Sequence, residues 1–106
     1  MKHLLIILSF LLLSSPVIGD NHKGETLYRW VTTSGVVWKG FGEKDTNPKY
    51  KGDVENVKPN GFGFLIFTNG DKYVGEWKKG NYWNGNSYDK NGNFVRRYVN
   101  GEMIKP

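Results

Sequence analysis

Cysteine is absent from the 106 residues, so no disulfide can form, lipid attachment through a cysteine is excluded, and packing alone must hold the fold. Histidine is nearly absent. His3 lies in the apolar N-terminus and His22 in a polar stretch, and one imidazole there supports neither a metal site nor a serine triad. Asp53 and Glu76 occupy equivalent positions on the polar face of two repeated segments, which makes them solvated residues rather than the acid and nucleophile of a glycosidase. Asp89-Lys90-Asn91-Gly92-Asn93 opens like a calcium loop, yet Phe94 and Asn100 stand where that loop needs glycine and glutamate. Gly40-Phe41-Gly42 and Gly61-Phe62-Gly63 precede no helical pattern, which removes a dinucleotide-binding loop. The expectation is a protein that is not an enzyme and takes no cofactor and no metal.

Long runs of one charge sign are missing as well. Fifteen lysines and arginines against ten acids leave a net charge of +5, spread between acids in the manner of a solvated surface. That excess favours an anionic lipid or envelope polymer by weak attraction only. The one long apolar run is N-terminal. Lys2 precedes Leu4 to Leu13, broken only by Ser9, and Val17-Ile18-Gly19 offers short side chains for cleavage. The apolar stretch from Leu4 to Ile18 falls short of the roughly 20 residues that span a bilayer, so a signal peptide over 1–19 is expected, with export to the periplasm or the cell exterior. Its removal takes the chain from 106 to 87 residues and from +5 to +4, Lys2 being the only charge lost.

Glycine and aromatic residues are abundant: 14 glycines and 15% aromatics point to strands and turns rather than a helical bundle. Tyr50-Lys51-Gly52-Asp53-Val54 returns 23 residues later as Tyr73-Val74-Gly75-Glu76-Trp77, the mark of stacked supersecondary units. Thr33-Ser34-Gly35, Thr68-Asn69-Gly70 and Lys90-Asn91-Gly92 each separate two aromatic, β-branched segments. They predict hairpins of 27–31 with 36–41, 62–67 with 72–77, and 86–89 with 94–99, closed by tight primed turns. Alternation puts Tyr73, Gly75 and Trp77 on one strand face, where Gly75 leaves a gap that an aromatic ring can cover, with Gly61 and Gly63 offering two more.

The spacing Tyr-x-Gly-x-(Val/Trp), followed by Gly61-Phe62-Gly63 and Asn69-Gly70-Asp71-Lys72-Tyr73, resembles the MORN repeat. The likeness is close over residues 50–92 and weaker over 27–42 and 93–101, with Tyr50, Gly52, Gly61, Gly63, Gly70, Tyr73, Gly75, Trp77 and Gly80 at its repeat positions. The pattern is broken at Val57, where the repeat has the glycine that Gly80 keeps, at Asn84-Gly85, where the glycine comes a residue late, and at Ser87, where a second glycine is expected. The resemblance implies an all-β, single-layer stack of antiparallel hairpins over 27–101, between a polar segment 20–26 and a tail 102–106. It also implies a protein-binding or scaffold role, by an unknown protein partner or self-association, with lipid association as the alternative. Export excludes nucleic acid as a partner for the cation and aromatic mixture of Lys78, Lys79, Tyr82 and Trp83. Tyr82, Trp83 and Tyr88 lie where the last unit departs from the repeat, so rings surplus to packing are expected there as a contact site.

Overall fold

The computed structural model describes residues 21–104; the expected signal peptide and cleavage point lie outside the described residues. Eight strands follow one another: β1 (Asn21–Thr32), β2 (Gly35–Lys39), β3 (Lys49–Glu55), β4 (Lys58–Ile66), β5 (Lys72–Lys78), β6 (Asn81–Tyr88), β7 (Phe94–Val99) and β8 (Glu102–Ile104). They form one open antiparallel sheet in the order β2-β1-β3-β4-β5-β6-β7-β8, the all-β hairpin architecture expected. Two boundaries differ. The polar segment from Asn21 is already strand, paired with β3 through Asn21↔Glu55 and Thr26↔Lys51, because ladder bonds come from the backbone and do not require apolar side chains. Within the expected tail, Glu102 to Ile104 adds an edge strand on β7.

The turns at Asn69-Gly70 and Asn91-Gly92 are not the primed turns expected of those pairs. At Asn69-Gly70 and Asn91-Gly92 only the glycine has positive φ, 99° and 86°. Gly70 N–H donates to the Phe67 carbonyl and Gly92 N–H to that of Asp89, both at 2.9 Å, so each is a type I turn followed by a left-handed glycine. Asp89 serves this turn: its Oδ1 accepts the backbone N–H groups of Asn91 and Asn93 at 2.9 Å each, which holds its carboxyl below the usual range. Primed turns with two left-handed residues occur at the opposite end of the sheet, at Asn56-Val57 (53°, 58°), Lys79-Gly80 (50°, 87°) and Asn100-Gly101 (48°, 84°). Val57 is therefore a β-branched residue in a conformation built for glycine.

One unit of packing is used twice. Tyr50 lies over the cross-strand pair Gly52↔Gly63 and donates its hydroxyl to the Asp53 carbonyl at 2.6 Å; Tyr73 lies over Gly75↔Gly85 and donates to the Glu76 carbonyl at 2.7 Å. A Cβ on Gly85 would sit 2.5 Å from the Tyr73 hydroxyl. Gly75 itself meets something different from the expected neighbouring ring. A Cβ there would lie 2.5 Å from the Asn84 carbonyl oxygen and the Gly85 Cα, with the Tyr73 hydroxyl third at 3.1 Å. Gly61 faces the Asp53 carboxylate rather than a ring.

These rings line the inner face, where Leu27, Trp38, Tyr50, Val54, Leu65, Tyr73 and Trp77 form the buried core. Trp38 on β2 has its ring 6.1 Å from that of Tyr50 and 5.8 Å from that of Trp77 on β5. Four strand spacings separate β2 from β5, roughly 19 Å in a flat sheet, so the sheet must coil until the β1–β2 hairpin lies across β3–β5. The connection 40–48 crosses the outer face of β1. Trp30 Nε1 donates to the Phe41 carbonyl at 2.9 Å, and buried Asn47 donates to the Arg29 carbonyl at 3.1 Å while accepting the Glu43 N–H at 2.8 Å.

Two substitutions test these assignments. Val57 is 48% exposed, so Val57→Gly removes backbone strain at little packing cost and is expected to stabilise the protein by about 1 kcal/mol, read as a higher urea midpoint. Gly75→Val forces a side chain against the β6 backbone at a φ of 152° and should cost about 3 kcal/mol, the upper end of overpacking. An unchanged midpoint in the second variant would remove the packing explanation.

Candidate functional site

The three rings expected to form a contact site do three different things. Tyr82 belongs to the inner face: it stacks on Tyr73 with ring centres 3.9 Å apart and an interplanar angle of 8°, and meets Trp77 and Tyr98 edge-on at 5.0 and 4.9 Å. It is not a surplus ring. Trp83 packs beneath the turn that joins β7 to β8, where a Cβ on Gly101 would sit 3.1 Å from its ring and where Lys78 Nζ lies 4.3 Å from its centre. Tyr88 lies beside Phe94 at 6.4 Å and accepts a bond from Asn86 Nδ2 at 3.3 Å.

The departure of the last unit from the repeat nonetheless creates a hollow. Register places Gly85 opposite Gly75 as Gly63 is opposite Gly52, so Gly85 is the counterpart of Gly63, twenty-two residues on, and not a late Gly61. The missing residue is absorbed in a bulge: β6 places two residues, Trp83 and Asn84, between its Gly75 and Trp77 partners, where β4 has three between the partners of Gly52 and Val54. Ser87 then pairs with Tyr73 just as Leu65 pairs with Tyr50. It replaces a leucine, not a glycine. Leu65 is 1% exposed and fills the first unit; a serine in its place leaves a groove of about 440 Å³ beside Phe67, Tyr82, Ser87, Arg96 and Tyr98.

A second hollow of about 220 Å³ adjoins it across Tyr82, between the folded-over hairpin (Arg29, Val36, Trp38) and Trp77. Arg29 and Arg96 thus line separate hollows that share Tyr82, and neither forms an ion pair among the described residues. Burial pushes the Tyr82 phenol up to about 12, with Tyr98 adding to the rise and both arginines opposing it. Tyr50 and Tyr73 each donate their hydroxyl to a backbone carbonyl, but those of Tyr82 and Tyr98 bond to no other described residue. The pairing of the arginines around Tyr82 was not legible from residue spacing, because positions 29 and 96 are 67 residues apart in the chain and come to the same ring only through the coil.

The outer face carries a different feature. Phe62, Phe64 and Ile66 alternate along β4 and are 59%, 37% and 40% exposed, with Lys51 opposite Phe64 and both Lys49 and Lys72 opposite Ile66. Asp53 and Glu76 brace the next strand: Asp53 Oδ2 accepts the Phe62 N–H at 3.1 Å, and Glu76 Oε1 accepts from Asn84 Nδ2 at 2.8 Å. No family model, curated protein or solved structure matches the chain.

The tyrosine core predicts an alkaline limit to stability. Burial raises Tyr50, and raises Tyr73 and Tyr82 up to about 12, from an ordinary value of about 10. Because the folded values are raised, their contribution is fully present below about pH 10 and is lost as pH climbs through about 12. Tyrosinate absorbance should therefore rise together with loss of tryptophan fluorescence in that window; ionisation of these phenols with fluorescence intact would contradict the burial.

Proposed function

We propose that this chain is an exported, non-catalytic repeat module of the MORN type that binds another protein as a scaffold element of the cell envelope. The observation that supports this reading most is the groove beside Ser87, between the β4–β5 turn and strands β6 and β7. The β1–β2 hairpin covers β3–β5, whereas Arg96 and Met103, beside the partly buried Tyr98, are exposed, Met103 to 47%. A groove floored by aromatic rings and rimmed by cations has the composition of a protein contact. The open edges at β2 and β8 add unpaired backbone groups on either side, which is also where self-association would begin.

A second reading, peripheral binding of anionic lipid or envelope polymer, is favoured by the outer stripe of Phe62, Phe64 and Ile66 flanked by lysines. Apolar rings that enter an interface and cations that meet its charge are the usual combination at anionic surfaces. The two readings use opposite faces, so one experiment separates them. A photo-cross-linking residue at Met103 should trap a discrete protein from envelope extract, while the same residue at Lys51 should not. If instead the protein sediments with anionic vesicles, releases in salt and loses that binding in Phe62→Ser, the outer face is the functional one.

A further inference from the structure

We infer that the groove beside Ser87 is a receptor for an acidic, extended segment of a partner protein, with Arg29 and Arg96 gripping its carboxylates and Tyr82 and Tyr98 packing its apolar side chains. The inference rests on the protein-binding reading and names the chemistry of the partner. Charge selects it. Of the described charged residues lining the two hollows, Arg29, Lys72 and Arg96 are cations and Asp71 is the only acid. Asp71 is already engaged, its Oδ2 accepting from Asn69 Nδ2 at 3.1 Å and its backbone N–H donating to Asn69 Oδ1. The arginine side chains have no such engagement among the described residues.

Arg29 is half-buried, but its guanidinium nitrogens are open to solvent and bond to no described residue, which leaves them accessible to a ligand carboxylate. Guanidinium groups suit carboxylates because two parallel N–H donors match two oxygens. The hydroxyls of Tyr82 and Tyr98, which bond to no other described residue, add donors in the same region. Length selects a segment over a single ion. The two hollows meet at Tyr82 and together run from the folded-over hairpin to β7, with ring surface between the cations where an ion alone would leave apolar area uncovered.

The test uses the full exported chain and a capped peptide alternating glutamate and leucine as the probe, titrated by calorimetry. Saturable binding is expected, weakened at least about tenfold when glutamine replaces glutamate. Arg96→Gln, at an exposed position that leaves the core intact, should weaken it by about the same factor, as should Arg29→Gln. Arg96→Lys should recover only part of the loss, and Lys51→Gln on the outer face should have no effect. Equal affinity for the glutamine peptide, or unchanged affinity in Arg96→Gln, overturns the inference. So does inorganic phosphate binding in the groove without peptide binding. If a partner still cross-links through Met103 when both arginines are glutamine, the protein-binding reading survives and the carboxylate receptor does not.

Discussion

Everything in this sheet depends on a tyrosine laid flat over two glycines. In the unit built on Tyr50, and again in that on Tyr73, the ring occupies the space where side chains of a cross-strand pair would stand. Its hydroxyl then bonds to the backbone three residues on. A sheet that is one layer thick has no opposing layer to bury its rings, so it buries them in gaps of its own making. Together with Trp38 against Tyr50 and Tyr82 stacked on Tyr73, that is how both tyrosines reach full burial in a chain without cysteine and with no second sheet among the described residues.

The coil supplies what the repeat cannot. Two tyrosines over glycines leave Trp77 with an open side, and Trp38 closes it edge-on from four strands away, while Trp77 Nε1 finds the Gly63 carbonyl at 3.1 Å. The β1–β2 hairpin thereby acts as a cover for the first units. Its reach ends at the start of β6, beside Asn81 and Tyr82. Further along that strand the leucine position is Ser87 and the next inner-face residue across the ladder is Arg96, so the same architecture that makes a sealed core in one unit makes a groove in the next.

Two turns at one end of the sheet also share a capping device. Asn60 Oδ1 receives the Lys79 N–H and Asn84 Oδ1 receives the Asn100 N–H, both at 2.8 Å, while Gly80 and Gly101 donate to the carbonyls of Pro59 and Trp83. Each primed turn is thus pinned to the hairpin before it. This docking sets the stacking distance between units and seats Gly101 against Trp83, which explains why that ring is a structural contact.

Period, strand alternation and the tyrosine and glycine positions were legible in the sequence, because each reflects a constraint between residues close in the chain: pleat, turn and cross-strand neighbour. Val57 was legible as an anomaly for the same reason, since its strain is local. Turn types were not, because Asn-Gly suits both a primed turn and a type I turn with a left-handed glycine, and the register of the flanking strands decides between them. Nor was the role of Ser87, which looks like a lost glycine until the bulge at Trp83-Asn84 shifts the count by one. Only the tertiary structure brought Arg29 beside Tyr82 and folded Trp38 onto Trp77. Those approaches depend on twist accumulated over several strands, a quantity that no short stretch of residues encodes.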